Sequence, residues 1–491
     1  MKAWFVLGMC FMTALWAEKN ELKHSLHANM VHLYDSEPVN VESIEKIFSE
    51  GVFYGRLRSN SFGFVWGEEL EANGKPVRKD HAATAIGGSL IYRSAYFHGF
   101  GFGAGAYASW SYGTLGREES YLYKAGKDTF SRYDRLTDGD TGMVVLAEAY
   151  MEYKKSRTHL KIGRQLFESF LTKSNDTKMI PNAFEGVTVT SRDVPETLIK
   201  AAYFTRQKLR DHTDFHHLFA YAYDANEPYY YTYTENDDSA MHRGLTLAKL
   251  QAAGIDDRLV VLEAKNWSVE NLTLTANYTA VPDLLSSVMI QADYIYHMQK
   301  WALIPSFRYM YQFDNGAGEI GGASRKGVVL SGDYDDPTDL NSWLVGVRLD
   351  AVKENLKVRV AYTQVADKGD IIAPWRGFPT GGFTRAMGQY NWDANTKTYM
   401  VQVDYTPQYF DNVRVVARVA LQDFDDNKAA PQADSNLFTI DMMRGFHGIS
   451  NFYAKLRYAH VVGEDDTVTP SGFRKPDPSY DEVRLEFNYL F

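Results

Sequence analysis

The stretch whose reading decides the fold is Tyr480-Asp481-Glu482-Val483-Arg484-Leu485-Glu486-Phe487-Asn488-Tyr489-Leu490-Phe491. Successive side chains of an extended chain point to opposite faces. Val483, Leu485, Phe487, Tyr489 and Phe491 therefore share one face, and Glu482, Arg484, Glu486 and Asn488 share the other. The pattern predicts a strand that is greasy on one side and charged on the other.

Working outward from this strand, the same period of two recurs along the chain from Gly51 onward. Phe100, Phe102, Ala104, Ala106, Ala108 and Trp110 share a face. Val145, Ala147, Ala149, Met151 and Tyr153 are read as one face, opposite Glu148 and Glu152. Val345, Val347 and Leu349 oppose Arg348; Val358, Val360 and Tyr362 oppose Lys357 and Arg359. Val413, Val415, Ala417 and Val419 oppose Arg414 and Arg418, and Ala454, Leu456 and Tyr458 oppose Lys455 and Arg457. A cation facing hydrocarbon at mid-bilayer costs about 2–4 kcal/mol, so the charged faces belong to a wet interior and the apolar faces to lipid. Such segments predict an all-β transmembrane antiparallel barrel of about 18 strands, occupying residues 51–491. Tight turns at Ser156 and Glu354 alternate with long polar connections such as Tyr112–Asp140 and Asn315–Leu340, the asymmetry of barrels with short turns on one side and long loops on the other.

Composition agrees. The chain carries 33 Tyr, 28 Phe and 37 Gly against 15 Pro, as aromatic girdles around a polar lumen require. No run reaches the ~18 apolar residues of a membrane helix. Residues 1–17 read as a signal peptide, with Lys2 before an apolar run and an Ala-x-Ala-like end near Ala17. That predicts export and a location in the cell outer membrane after cleavage. The one cysteine, Cys10, lies in this segment, which excludes disulfides and cysteine chemistry from the mature chain. Residues 18–50 read as an N-terminal periplasmic or lumenal segment, with a short helix over Val41–Phe48. The net charge of −10 argues against nucleic-acid binding.

Enzymatic signatures are absent. The sequence has no nucleophile elbow, HExxH or phosphate-cradling loop, and neither a catalytic residue, a metal site nor a cofactor is predicted. The basic residues on the polar phase carry more. Arg56, Arg58, Arg93, Arg308, Arg348, Lys357, Arg359, Arg414, Arg418, Lys455, Arg457 and Arg484 all point to the predicted lumen. A guanidinium is permanently charged and presents a planar fork to carboxylates. Two readings stand at this level: a conducting ladder for anions, or a wall neutralised by Glu148, Glu152, Glu482 and Glu486.

Three stretches resemble the OprD-like family of outer-membrane porins, in the form found in ε-proteobacteria. Lys161-Ile162-Gly163-Arg164-Gln165 is followed by Asp176-Thr177-Lys178-Met179-Ile180-Pro181-Asn182-Ala183-Phe184-Glu185-Gly186. Gly369-Asp370-Ile371-Ile372-Ala373-Pro374-Trp375-Arg376-Gly377-Phe378-Pro379-Thr380 is followed by Thr384-Arg385-Ala386-Met387-Gly388-Gln389-Tyr390-Asn391-Trp392. The third stretch is the terminal strand. The resemblance implies a monomer or loose trimer with inward-folded extracellular loops, mapped here to Leu166–Ala183 and Asp367–Thr396. It implies constriction residues Lys178, Trp375, Arg376, Phe378 and Arg385, and passive uptake of small carboxylate solutes such as amino acids, peptides and organic acids. Lys178 stands where the family often has Arg, keeping the charge without the fork. Phe491 is the expected signal to the barrel-assembly machinery; outer-membrane lipid and lipopolysaccharide are the expected surroundings. A surface adhesin using the long loops and an outer-membrane hydrolase are the alternative functions.

Overall fold

The computed structural model describes residues 24–26, 30–34, 37–220, 240–388, 390–407, 413–446 and 449–491. The proposed signal peptide and part of the segment 18–50 lie outside them. Among the described residues eighteen long strands close into one antiparallel barrel. They are β1 (Val52–Trp66), β2 (His81–Arg93), β3 (Phe100–Gly113), β4 (Gly142–Lys155), β5 (Thr158–Gln165) and β6 (Ala183–Ser191). There follow β7 (Thr197–Lys208), β8 (Leu259–Asn266), β9 (Leu272–Val281), β10 (Leu285–Tyr294), β11 (Trp301–Asp314) and β12 (Ser342–Lys353). The last are β13 (Leu356–Val365), β14 (Lys397–Tyr405), β15 (Val413–Asp423), β16 (Ser435–Phe446), β17 (Ile449–Gly463) and β18 (Tyr480–Leu490). Closure joins β18 to β1, with Leu485 opposite Ser61, so no edge strand is left unpaired.

The inside-out distribution expected from the sequence is visible strand by strand. On β14, Tyr399, Val401, Val403 and Tyr405 are exposed, while Thr398, Met400, Gln402 and Asp404 are buried. A soluble protein would do the reverse. The apolar outer band supplies the lipid contact, and the polar groups find water and each other within the lumen.

Strand β4 departs from strict alternation. A β-bulge between Leu146 and Glu148 inserts one residue opposite β3. An extra residue shifts the phase by one. Val144 and Leu146 therefore face out (51% and 44% exposed) and Val145 and Ala147 face in (5% and 0%), contrary to the sequence reading. Beyond the bulge Met151 is exposed and Glu148 and Glu152 are buried, as expected. Phe491 differs as well. It keeps the outward phase but is covered, because it packs over the side-chain-free Gly55 of β1 and exchanges backbone bonds with it at 2.8 and 3.0 Å.

The predicted helix over Val41–Phe48 shortens to one turn, Lys46–Ser49, with Ile44 and Phe48 exposed. It lacks an apolar surface long enough to bury a second turn. Just before it, Tyr34 stacks on Tyr54 of β1 at 5.4 Å. The Met30 carbonyl accepts a hydrogen bond from the Arg56 guanidinium at 2.6 Å, so residues 30–34 lie against the inner face of the barrel.

Candidate functional site: the lumen and its inward loops

The lumen holds a cavity of about 1800 Å3. It is bounded by strand side chains below and by loops folded in from the long-loop side. The loop 166–182 contributes Phe170, Lys173 and Lys178, and the loop 366–396 contributes Arg376, Phe378 and Arg385. Both loops were expected. A third, 114–141, also turns in and brings Lys124, Lys127, Asp128 and Arg132 to the wall. Its sequence signal is the apolar set Leu115, Leu122, Tyr123 and Phe130, which buries as one cluster with Ala83 of β2.

The two expected loops are hydrogen-bonded to each other. The Lys173 amide donates to the Trp375 carbonyl at 2.9 Å and the Gly377 amide donates to the Leu171 carbonyl at 2.8 Å. A Cβ on Gly377 would stand 2.3–2.4 Å from the Leu171 backbone, so only glycine permits this approach. Arg376, between them, adopts a left-handed φ of 67°. Trp375 is buried, donates its indole N–H to the Leu218 carbonyl at 2.9 Å and stacks on Phe219. It pins the loop rather than facing the cavity.

Three of the predicted ladder arginines hold the same loop by its carbonyls. Arg308 donates to Pro379 (2.7 Å) and Gly381 (2.8 Å). Arg348 and Arg359 both donate to Gly382, at 2.7 and 2.6 Å. The charges of Arg348 and Arg359 are matched elsewhere: Arg359 grips Asp350 in a two-pronged pair at 2.6 and 2.7 Å, and Arg348 meets Asp293 at 2.7 Å. A peptide carbonyl bonded to a charged donor is held about twice as strongly as by a neutral one.

The β1–β5 side of the wall is filled. Arg56 and Arg58 converge on Asp176 of the loop 166–182, and Arg58 also lies 3.9 Å from Glu486. Arg93 and Lys161 flank Glu152 at 3.9 and 3.7 Å. Glu148 accepts from the Tyr107 hydroxyl at 2.8 Å instead of pairing with an arginine. Lys357 lies 3.6 Å from Asp404, which also takes Arg414.

The open cavity lies against β15–β18. Arg414, Arg418, Lys455, Arg457 and Arg484 all line it. Arg418 and Arg457 share Asp441, each at 2.8 Å, and Arg484 meets Glu482 at 2.6 Å. Lys455 makes no ion pair with a described residue. Facing them, Lys178 lies over the Phe62 ring at 4.3 Å and Arg385 over Phe378 at 4.9 Å. The aspartates that pair with these cations went unnamed in the sequence reading. Asp350, Asp404 and Asp441 each share the inward phase of their strands, so the same alternation could have found them.

Among the described residues, nine lysines and twelve arginines line the cavity against five carboxylates. The chain as a whole carries 62 acidic and 52 basic residues. Positive charge has been gathered inside a protein that is acidic overall. Among the described residues no cluster of potential metal ligands occurs.

Comparison with known proteins places this geometry. The family described as outer membrane porin, OprD family, matches residues 69–336. Among solved structures, OpdK of Pseudomonas aeruginosa, crystallised with vanillate, superposes with a TM-score of 0.63 at 14% identity, covering 89% of this chain and 98% of that one. OccK9 (OpdG) of the same organism gives 0.66 at 15% identity, covering 91% and 99%. OccAB3 of Acinetobacter baumannii gives 0.66 at 13%, covering 90% and 100%. At these identities the structures speak for the fold. No curated protein matches the chain. The alternatives of adhesin and hydrolase give way to a channel, without a catalytic role, in the outer membrane. The chain belongs to the OprD family of outer membrane porins.

Proposed function

We propose that this porin is a passive, anion-selective channel for small carboxylate solutes, such as organic acids, amino acids or short peptides. The observation that carries the reading is the excess of cationic side chains on the cavity wall. Fixed positive charge in a low-dielectric wall lowers the cost of bringing in an anion and raises it for a cation. The path follows Arg414, Arg418, Lys455, Arg457 and Arg484, with Lys178, Arg376, Phe378 and Arg385 presented from the inward loops. Arg56, Arg58, Arg93, Arg348, Lys357 and Arg359 act behind it as paired supports of wall and loops, while Arg308 lines the cavity and holds the inward loop by the Pro379 and Gly381 carbonyls. The vanillate in OpdK is itself a small carboxylate, which supports the same class here.

On this reading residues 1–17 are removed at export, residues 18–50 form an N-terminal periplasmic or lumenal segment, and Phe491 serves the assembly machinery. The barrel works as a monomer or loose trimer among lipid and lipopolysaccharide. The motifs around Gly369–Thr380 and Thr384–Trp392 favour an ε-proteobacterial form of the family. Reversal potentials in a potassium chloride gradient test the function. The wild-type channel should favour chloride, and the double variant Arg414→Gln/Lys455→Gln should favour it less. That pair is chosen because Asp404 keeps Lys357 and Glu486, opposite Lys455, keeps Arg58. A cation-selective wild type, or an unchanged potential in the variant, would refute the reading.

A further inference from the structure

The cations on β15–β18 are arranged unevenly with respect to their counter-charges. Arg457 of β17 stands directly opposite Arg484 of β18 in the register of the sheet. Like charges facing each other across adjacent strands repel. On the other side Arg457 faces Asp441 of β16, which it shares with Arg418. Lys455 sits two positions from Arg457 on the same face, so ~6.8 Å along the strand. This patch therefore holds four cations, Arg418, Lys455, Arg457 and Arg484, and two carboxylates, Asp441 and Glu482. It carries an excess of two positive charges. The remaining groups do not offset it: Arg414 of β15 is held by Asp404, and Arg56 and Arg58 are balanced by Asp176 and by Glu486, which stands opposite Lys455 in the register.

Among the described residues the carboxylates of the cavity wall are all engaged. Asp128 pairs with Arg210 at 2.6 Å, Glu263 with Lys200 at 3.3 Å, Asp393 with Arg325, Asp441 with Arg418 and Arg457, and Glu482 with Arg484. An α-ammonium group entering the cavity finds each carboxylate already held by a guanidinium or a lysine. An α-amino acid would bring one charge that the wall attracts and one that it repels.

We infer that the β15–β18 patch is a transit site for dicarboxylates lacking an amino group, whose two negative ends match the two unbalanced positive charges. This rests on the anion-channel reading above. Neighbouring strands lie ~4.8 Å apart, so a four-carbon dicarboxylate reaches from one row of cations to the next. A single compact dianion would satisfy the charge without using the spacing. The site binds weakly, because a solute held tightly would not leave.

Block of single-channel chloride current by added solute tests this. Succinate, propionate, glycine and inorganic phosphate serve as probes at pH 7.5. Succinate should block at least tenfold more potently than propionate and more potently than phosphate, and glycine should not block. Lys455→Gln, which leaves Glu486 opposite it still beside Arg58, should bring succinate to within threefold of propionate while the heat-modifiable barrel band stays normal. Succinate and propionate within twofold of each other in the wild type would overturn the inference, as would phosphate equal to succinate or a succinate block unaltered in Lys455→Gln. If chloride selectivity holds while these differences fail, only the dicarboxylate site falls. If selectivity itself is missing, the channel reading falls first.

Discussion

Replacing Trp375 by Ala should unfasten the loop that narrows the lumen. The indole is 1% exposed, packs on Phe219 and donates to the Leu218 carbonyl at 2.9 Å. Truncating a buried aromatic of this size costs about 3–5 kcal/mol, and the orphaned carbonyl adds about 1 kcal/mol. The loss falls on one loop rather than on the barrel, whose strands keep their ladder. Local segments open with free energies from near zero up to the global value. A loss of about 4 kcal/mol multiplies the open population of the loop roughly a thousandfold, enough to turn a rare excursion into a common state. Single-channel recording should show larger and noisier conductance, and hydrogen exchange should accelerate in residues 369–380 while β11 and β12 remain protected. Trp375→Phe keeps the ring and loses the indole donor, so it should lie near wild type, shifted by about 1 kcal/mol. Unchanged conductance, noise and exchange in Trp375→Ala would refute the idea that this residue fastens the loop.

Three further outcomes are expected. Leu146→Arg should impair insertion, at about 2–4 kcal/mol for a cation near mid-bilayer, whereas Leu146→Phe should not; equal refolding yields into lipid vesicles would mean that the bulge in β4 is misplaced. Phe491→Ser strips the cover from Gly55 and should leave unassembled chain in the periplasm, read out as loss of the surface-exposed, heat-modifiable form. Asp434, in the loop 424–434, has its carboxyl pushed up to about 6 by burial, with Asp426, Asp423 and Glu464 adding to the effect. A raised folded-state pKa favours the protonated form, so this loop should be most resistant to proteolysis near pH 4, losing that extra resistance as pH rises through about 6; Asp434→Asn should flatten the profile, and an unaltered pH dependence would exclude the group.

The fold was legible because a barrel repeats one rule. Alternation along β14 or β18 is local, so each strand announces its own phase in eight to twelve residues. The rule failed at Val145 and Ala147, where a bulge shifts register by one residue without any residue type that marks it. The inward direction of the basic residues was equally legible. What each one does there was not, because that depends on partners far away in sequence. Arg308 meets the carbonyl of Pro379 and Arg56 meets Asp176, and alternation carries no information about which loop descends onto which strand. The division into supports on the filled side and cations lining the cavity on the other emerges only once the loops are in place.

The interlock between Leu171–Lys173 and Trp375–Gly377 joins segments some two hundred residues apart, across strands β6 to β13. The clasp joins loops that descend from strand ends, so its halves meet in register only once β6 to β13 stand between them. The strands can close into a cylinder before that clasp is made. A newly inserted barrel would then be, for a time, a wider and less discriminating hole than the finished one, and its selectivity would be acquired in the membrane rather than delivered to it. A cell that makes this protein has an interest in how quickly the clasp forms, separate from how stable the barrel is. Substitutions that slow the clasp without weakening the strands would leak before they misfold.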